Sequence, residues 1–312
     1  MEHYVTLFDS FFLPQGLALH ASLERHAGSY TLWVLCVDEG AHGALVVLAL
    51  PNTRLLRLAD WETPELSRVK AGRSRGEYCW TLTPFAPRFV FEAQPASTRV
   101  TYIDADMWLC GDPGKVLLEF EQSGKSVLIT EHAYSPEHDQ GVRSGRYCVQ
   151  FMTFTRDGGE RVRQWWADRC IEWCFNRVED GKFGDQMYLE DWPQRFPHEV
   201  HVLQDKALLQ APWNASRFAA SDAIAYHFQG LRLLSTHRAV LTEDYALPRP
   251  VLLTHYRRYA ADLGMAIQRL RLAGVPVQRQ VTRSTAMLYA RLILKRLRAW
   301  WYRAFAPATM KL

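Results

Sequence analysis

The first sixty residues alternate between short apolar runs and segments with helical spacing, and this alternation limits the fold more than any other feature. The apolar runs are His3 to Phe8, Tyr30 to Val37 and Thr53 to Leu58. Between them, Leu13 to Arg25 and His42 to Leu50 carry apolar residues at helical intervals. Strands that alternate with helices predict a parallel sheet with right-handed crossovers. We therefore expect an α/β fold that binds ligands at the carboxyl ends of its strands.

A further apolar run, Val100 to Ile103, leads into two carboxylates, Asp104 and Asp106. Residues two apart in an extended backbone point to the same side, so both carboxylates are able to face one cation. Burying them as free charges is costly, and a divalent cation between them lowers that cost. Hard oxygen ligands favour Mn²⁺ or Mg²⁺. The alternative is a solvated acidic loop at a strand end.

The stretch from residue 98 to residue 113 resembles the metal-binding motif of nucleotide-sugar glycosyltransferases with the GT-A fold. The nearest resemblance is to glycosyltransferase family 8 and related bacterial proteins, and it spans roughly Tyr4 to Leu233. It implies a Rossmann-like, mostly parallel central sheet flanked by helices. It also implies that Asp104 and Asp106 bind the metal, and that Asp104 and Ala105 contact the nucleotide sugar.

Two later segments match further motifs of this family. In Gly184-Asp185-Gln186, the resemblance implies that Asp185 holds hydroxyls of the transferred sugar and that Gln186 lies near its anomeric carbon. In His227-Phe228-Gln229-Gly230, it implies that His227 is the third metal ligand and that the backbone at Gly230 approaches the diphosphate. Neutral imidazole suits Mn²⁺. From the residues alone, Asp185 is also compatible with a helix N-cap, and His227 with a structural role.

Other polar residues are candidates for binding the donor. Asp9 follows the first predicted strand and is placed to accept hydrogen bonds from the base or ribose, with an N-cap role as the alternative. Arg73 and Arg75 lie in a glycine-containing basic loop, and guanidinium groups bind phosphate bidentately. The alternative is a solvated loop. Trp213 and Asn214 lie in a turn that resembles the related bacterial proteins, where such residues line the donor pocket.

The chain departs from family 8 in the strand predicted from Arg146 to Phe154. Many family 8 enzymes carry an Asn followed by a small residue and Gly at the equivalent place, and these residues contact the donor or acceptor sugar. Here Cys148 stands in place of the Asn and Gln150 in place of the Gly. The sugar specificity therefore does not follow from the resemblance, and Gln150 is a candidate for the missing polar contact.

Charge is distributed unevenly. The formal net charge is +4, yet Leu263 to Leu312 contains ten Lys or Arg and no Asp or Glu. We interpret residues 1–250 as the GT-A domain and 251–312 as a basic, amphipathic helical extension. Residues 287–305 place basic and apolar side chains on opposite halves of a helix, which is typical of a helix on an anionic membrane surface. The alternative is a helix packed on the acidic remainder, and no motif accompanies the charge that would favour nucleic acid.

The compartment follows from the cysteines and the amino terminus. Six cysteines without zinc-binding spacing indicate free thiols in a reducing compartment. The start at Met1 lacks a basic n-region and a cleavage site, and no run approaches the roughly 18 apolar residues of a spanning helix. We expect a cytoplasmic protein, with peripheral attachment to the inner face of the cell membrane through the tail as the alternative.

Together these features predict a metal-dependent glycosyltransferase that moves a sugar from a nucleotide sugar to a saccharide or lipid-linked acceptor. UDP is the family's commonest donor nucleotide, and the resemblance implies retention at the anomeric carbon. Three alternatives stay open. They are a protein that binds a nucleotide sugar without transferring it, a metal-independent glycoside hydrolase with Asp104 and Asp185 as paired carboxylates, and a membrane or nucleic-acid tether that acts through the tail.

Overall fold

A computed structural model describes residues 1–242, 244–280 and the backbone of 309–311. Its strands, in chain order, are β1 (Glu2–Phe8), β2 (Tyr30–Cys36), β3 (Thr53–Arg57), β4 (Arg99–Ile103), β5 (Met107–Leu109), β6 (Val127–Glu131), β7 (Tyr147–Thr155), β8 (Val200–Val202), β9 (Leu209–Gln210), β10 (Ala225–His227), β11 (Arg232–Ser235), β12 (Arg238–Val240) and β13 (Thr309–Lys311). The runs of apolar residues in β1, β2 and β4 are buried, as expected for strands covered by helices on both faces.

Among the described residues, the central sheet has seven strands in the order β3-β2-β1-β4-β7-β6-β8. β1 is parallel to β2 and β4, β2 to β3, and β6 to β8. β7 is antiparallel to both β4 and β6. The mostly parallel α/β sheet predicted from the sequence is confirmed. β7 is the exception, since it runs antiparallel to the strand on either side of it.

Helices cover both faces of the sheet. In chain order they are α1 (Leu13–His26), α2 (Glu39–Leu48), α3 (Leu58–Trp61), α4 (Pro64–Lys70), α5 (Arg75–Leu82), α6 (Phe85–Ala93), α7 (Gly114–Ser123), α8 (Gly141–Ser144), α9 (Arg156–Glu172), α10 (Trp192–Arg195), α11 (Arg249–Val251) and α12 (Arg257–Leu272). Short 3₁₀ helices cover Ser10–Phe12, Pro136–His138, Met187–Leu189 and Ala220–Asp222, and a π-helical turn, Leu252–Tyr256, joins α11 to α12.

Local capping fixes where the helices near the sheet edge begin. The Asp38 carboxylate accepts a hydrogen bond from the backbone N–H of Ala41 at 2.8 Å and so caps α2. Ser74 and Glu77 form a capping box at the start of α5. Such caps satisfy backbone N–H groups that have no partner within the helix, and each stabilises a helix by about 1 kcal/mol. They also fix the position of the loops that follow β2 and precede α5.

Two apolar layers enclose the sheet. On one face, side chains of α6 and α9 such as Phe89 and Trp166 are buried against the strands. On the other face, α1 and α2 bury residues such as Leu17, Leu23 and Leu45. Full burial of a side chain of this size contributes about 1.5–3 kcal/mol to stability. The layers therefore hold the sheet rigidly and position the loops at its carboxyl edge.

The helices near the carboxyl terminus are part of the packed globule. Tyr259 and Leu263 of α12 are fully buried, and α12 packs against α1. Asp262 accepts a hydrogen bond from the indole N–H of Trp108 at 2.6 Å and forms an ion pair with Arg25. Residue 250 is therefore not a boundary of packing, and the predicted division into 1–250 and 251–312 falls within this helical segment. Residues of α12 that form buried polar contacts interrupt its apolar pattern. The buried face of this helix is therefore not evident from the sequence.

The segment after α12 returns to the amino-terminal part of the chain. The side-chain oxygen of Gln280 accepts a hydrogen bond from the N–H of Leu233 at 2.9 Å, and the amide of Gln278 donates to Ser10 Oγ at 2.9 Å. The backbone of β13 pairs antiparallel with β12. The predicted membrane-surface helix at 287–305 lies outside the described residues. Within the described part of the chain, no helix combines the length and the apolar character needed to span a membrane.

Candidate active site

Strand pairing brings the two aspartates and the histidine together. β4 ends at Ile103, Asp104 follows, and the chain turns through Asp106 into β5. β5 pairs antiparallel with β10, and this register sets His227 opposite Met107. A small second sheet, in the order β5-β10-β9, therefore places the His227 imidazole near the end of β4 in the central sheet.

The three predicted metal ligands form one cluster. His227 Nε2 lies 3.0 Å from Asp106 Oδ1 and 3.7 Å from Asp104 Oδ2. One donor atom from each residue lies within 4.8 Å of the other two. The Tyr102 hydroxyl donates a hydrogen bond to Asp104 Oδ1 at 2.7 Å, which fixes the orientation of that carboxylate. Two carboxylate oxygens and an imidazole nitrogen are a donor set that suits Mn²⁺ or Mg²⁺.

The electrostatics of the cluster reflect its burial. Burial raises the pKa of Asp104, and the adjacent Asp106 carboxylate adds to that effect. Burial also acts to raise the pKa of Asp106, but His227 and Arg232 overcome it and lower the pKa. Burial alone would lower the pKa of His227, yet the Asp106 carboxylate raises it well above its usual value. The cluster therefore pairs two partly buried acids with a single cationic ring, and it carries an excess of acidic groups that a cation would balance.

A cavity of about 890 Å³ opens beside the cluster, at the carboxyl ends of β1 and β4. Most of the site residues predicted from the sequence line it: Asp9, Arg75, Asp104, Ala105, Asp106, Asp185, Gln186, Trp213 and His227. Arg73, Asn214 and Gly230 are the three predicted residues that the structure does not place in the lining. A pocket at this edge is the expected binding position in an α/β sheet.

One end of the cavity combines an acid, a cation and aromatic rings. Asp9 Oδ1 accepts a hydrogen bond from the N–H of Phe11 at 3.0 Å, so the N-cap alternative is correct for this oxygen. Asp9 Oδ2 lies 3.3 Å from an Arg75 nitrogen, and the Arg75 guanidinium lies 4.4 Å from the centre of the Phe11 ring. Burial raises the pKa of Asp9, and Arg75 opposes that rise. This end is therefore suited to a polar, planar group with nearby negative charge.

Arg73 does not reach the cavity. Its guanidinium donates hydrogen bonds to Thr81 Oγ1 and to the backbone oxygen of Ile171, and it lies 5.6 Å from the centre of the Phe175 ring. These contacts tie the loop before α5 to the end of α9. Arg73 and Arg75 lie on either side of the N-cap residue Ser74. Arg73 holds the loop in place, whereas Arg75 lines the cavity. The role predicted for both arginines is therefore compatible with the position of Arg75 alone.

Arg232 is a cavity residue that sequence reasoning missed. It lines the pocket, lowers the pKa of Asp106 through its charge and lies 5.4 Å from the centre of the Phe12 ring. Gly230 has a φ of 80°, in the left-handed region that favours glycine, and so makes the turn between β10 and Arg232. The sequence feature that could have identified Arg232 is a basic residue two positions after that glycine.

Asp185 and Gln186 also line the cavity. Gly184 has a φ of 56°, and a Cβ added there would lie 3.4 Å from the Trp80 ring, so glycine suits this turn. Asp185 is buried, and its Oδ2 has no hydrogen-bond partner among the described residues. Burial and the Asp104 charge raise its pKa well above the usual range. The Gln186 amide donates to the backbone oxygen of Ser144. Asp185 therefore lines the cavity with a carboxyl group of raised pKa, one oxygen of which, Oδ2, is itself buried.

Trp213 and Asn214 support a histidine at the cavity wall. Trp213 Nε1 and Asn214 Nδ2 both donate to the backbone oxygen of His132, at 2.8 Å and 3.0 Å. The Trp213 ring also packs edge-on against His227, with centroids 5.4 Å apart. Trp213 thus lines the cavity, whereas the fully buried Asn214 holds the turn behind it.

Comparison with known proteins identifies the family of this chain. No protein-family model matches it. The uncharacterized protein YfnF of Bacillus subtilis (strain 168) is 32% identical over 252 residues, which are 74% of this chain and 82% of YfnF. The chain belongs to the YfnF family.

Two solved structures share the fold of this YfnF-family chain. The glycosyltransferase GlyE of Streptococcus pneumoniae TIGR4 is 17% identical, with a TM-score of 0.51 over 90% of this chain and 67% of GlyE. The bifunctional glycosyltransferase WbbM is 15% identical, with a TM-score of 0.52 over 86% of this chain and 51% of WbbM. Identities this low establish the fold alone. The GT-A-type fold expected from the sequence is confirmed, and membership of glycosyltransferase family 8 stays a prediction.

In this YfnF-family chain, Cys148 lies in the cavity wall where the resemblance to family 8 places an Asn. Burial acts to raise the pKa of its thiol, but His132 and His227 lower that pKa to about 7. A thiol between two imidazoles has different hydrogen-bonding capacity from a carboxamide. The surroundings of His227 therefore differ from those expected for family 8.

Proposed function

We propose that this protein is a metal-dependent glycosyltransferase that uses a nucleotide-sugar donor, with a UDP-sugar as the first candidate. The acceptor is a saccharide or a lipid-linked saccharide, and the anomeric configuration is retained. The observation that carries the proposal is the cluster of Asp104, Asp106 and His227 in a cavity that also holds Asp185 and Gln186. The fold shared with GlyE and WbbM supports it.

The residues present fit a divalent cation. Asp104, Asp106 and His227 would hold Mn²⁺ or Mg²⁺ through two carboxylate oxygens and one imidazole nitrogen. When bound, the cation supplies Lewis-acid neutralisation of the negative charge on a diphosphate leaving group. Tyr102 holds the Asp104 carboxylate in place through its hydroxyl. The partly buried, mutually repelling carboxylates are the feature that favours cation binding here.

Arg75 and Arg232 are suited to bind the diphosphate. Both line the cavity, and both pack their guanidinium groups over aromatic rings, Phe11 and Phe12 respectively. Packing on a ring orients the planar fork and leaves its N–H groups directed toward an anion. Asp9, beside Arg75, accepts hydrogen bonds from the base or ribose of the nucleotide. The nucleotide therefore occupies the end of the cavity nearest β1.

Asp185 and Gln186 are suited to bind the transferred sugar. The Asp185 carboxyl lines the cavity and can accept a hydrogen bond from a sugar hydroxyl, and its raised pKa allows it to donate as well. Trp80, Phe183 and Trp213 supply apolar surface in the same cavity. Carbohydrate rings combine polar edges with apolar faces, so a wall that offers both is compatible with a saccharide. Retention follows from the resemblance to family 8.

The test is a donor screen with and without metal. The purified protein is incubated with a panel of nucleotide sugars and Mn²⁺, and nucleotide release and sugar transfer are measured before and after addition of a chelator. We expect release from at least one donor, loss of release with chelator, and loss of release in the Asp104→Ala variant. Turnover that persists through both changes would overturn the proposal. Tight donor binding without any release would favour a binding protein.

A further inference from the structure

Gln150 is an uncharged polar residue in the middle of an apolar strand. It lies on β7 and is fully buried, as are its neighbours Phe151 and Met152. Burying an amide costs free energy unless the amide is hydrogen-bonded. The Gln150 side chain accepts a hydrogen bond from His227 Nδ1, with Oε1 and Nδ1 2.8 Å apart, and its Nε2 has no partner among the described residues. An apolar residue would fill this position better, so packing does not account for Gln150.

We propose that Gln150 is a positioning residue that orients the metal ligand His227. This inference rests on the proposed function, because it assigns Gln150 to the same candidate metal site. A carbonyl oxygen only accepts hydrogen bonds, so a contact with Oε1 requires that Nδ1 of His227 carries a hydrogen. In the neutral ring, the lone pair then belongs to Nε2. Nε2 is the nitrogen that faces Asp106, at 3.0 Å.

The backbone of Gln150 orients a second ligand. Its carbonyl oxygen accepts a hydrogen bond from the N–H of Asp104 at 3.0 Å. This bond continues the antiparallel pairing of β4 with β7 by one residue beyond Ile103 and Phe151, which are directly opposite. One residue of β7 therefore fixes the backbone of the first aspartate and the ring of the histidine.

The geometry matches a general arrangement in metalloproteins. A ligating imidazole usually donates its second N–H to a carboxylate or a carbonyl, which sets the tautomer and the ring orientation. Loss of such a partner typically weakens metal binding by about 10- to 100-fold. Here the partner is a side-chain amide on β7, which runs antiparallel to the strand on either side of it.

Mn²⁺ binding to the full-length chain tests the inference without relying on activity. The electron paramagnetic resonance signal of free Mn²⁺ is titrated with protein for the wild type, Gln150→Met and Gln150→Glu. We expect Gln150→Met, which keeps the volume but removes the acceptor, to bind Mn²⁺ about 10- to 100-fold more weakly. Gln150→Glu restores an acceptor for Nδ1–H and should bind at least tenfold more tightly than Gln150→Met.

Two control variants separate the possible failures. Thr153→Val removes another buried hydrogen bond on β7, between Thr153 Oγ1 and Thr101 Oγ1, and should leave Mn²⁺ affinity unchanged. Asp104→Ala should abolish binding. If the wild type itself binds no Mn²⁺, the metal site of the proposed function and this inference both fail. If the wild type binds and Gln150→Met binds equally well, the inference about Gln150 alone is overturned.

A measurement on the wild type protects the test against misfolded variants. Long-range proton–nitrogen correlations of the ¹⁵N-labelled imidazoles report which ring nitrogen carries hydrogen. The His227 signals are assigned by their loss in His227→Asn. The measurement is made with Mg²⁺ bound, because a cationic ring in the metal-free cluster carries hydrogen on both nitrogens. We then expect a neutral His227 ring with its hydrogen on Nδ1. A neutral ring with its hydrogen on Nε2 instead would contradict the role of Gln150.

Discussion

His227 Nε2 lies 3.0 Å from Asp106 Oδ1, although 121 residues separate them in the chain. The contact exists because β10 pairs with β5, directly after the turn that carries Asp106. An acid and an imidazole this close, with Asp104 beside them, give the molecule its best candidate for a cation site. The predictions below test that site and the cavity around it.

Removing a carboxylate from the cluster should abolish both metal binding and turnover. In the wild type, Mn²⁺ at about 100 times its Kd should stabilise the fold by about 2.7 kcal/mol, and a chelator should reverse the effect. Asp104→Ala should lose this shift and reduce kcat/KM by more than ~100-fold, or about 3 kcal/mol. Thermal unfolding with and without Mn²⁺ gives the first quantity. Asp112→Ala, an exposed acid in the same stretch, is the matched control and should behave as the wild type.

The two arginines predicted for the diphosphate should separate in function. Arg75→Ala should raise the KM for the donor about tenfold, or ~1.4 kcal/mol, because Arg75 lines the cavity. Arg73→Ala should leave that KM unchanged but lower the melting temperature, because Arg73 holds Thr81 and Ile171. Steady-state kinetics and thermal unfolding on both variants provide the comparison. Equal effects on donor KM would show that the assignment of Arg75 is mistaken.

Asp185→Asn should give a protein that is more stable and nearly inactive. Burial and Asp104 raise the pKa of Asp185, so the ionised form is disfavoured in the folded state and lowers stability at neutral pH. An amide removes that penalty and raises the melting temperature, while kcat should fall by more than ~100-fold. Asp180→Asn, on the same loop and exposed, should change neither quantity. A destabilised Asp185→Asn protein would argue for a structural role of this carboxyl.

Stability should fall on acidification through a buried histidine that is not a member of the cluster. His255 is buried against the Tyr226 ring, and burial lowers its pKa from 6.5 to about 4. The unfolded chain therefore binds a proton at a higher pH than the folded protein does. The contribution of His255 is complete above pH 6.5 and is lost as the pH falls toward 4, to a total of about 3 kcal/mol.

Denaturant unfolding between pH 7 and pH 4 measures this dependence. His255→Phe should unfold with a pH dependence smaller by about 3 kcal/mol over that range, since the variant has no group to titrate there. His237→Asn, at an exposed position, is the control and should follow the wild-type curve. If His255→Phe also follows it, another buried group is responsible.

The sequence was most informative where a local pattern determines the structure. Apolar runs separated by helical spacing predicted β1, β2 and β3 and the helices between them, within a few residues at each end. The Asp-x-Asp at the end of β4 and the His before a glycine predicted the members of the cluster. Their proximity followed only from the resemblance, since the pairing of β5 with β10 leaves no periodic signal in so few residues.

The sequence was least informative where side-chain direction or long-range packing decides. Arg73 and Arg75 lie in the same basic loop, so the sequence does not distinguish them. Only the helix start at the N-cap residue Ser74 directs Arg75 into the cavity and Arg73 away from it. The sequence predicts an extension beyond the globule where α12 packs against it. Charged residues of α12, among them Asp262, interrupt the apolar pattern of its buried face. Gln150 was expected to contact a sugar, whereas its carboxamide oxygen contacts His227. No spacing rule connects two residues that are 77 positions apart.

Gln278 and Gln280 hydrogen-bond to Ser10 and Leu233, so the segment after α12 is joined to the first loop of the chain. Gln280 and Phe11, 269 positions apart, are also hydrogen-bonded to each other, and both line the cavity. One part of the cavity wall therefore depends on residues from both ends of the described globule. A change that displaces either segment would alter the shape of the opening without touching the acidic cluster.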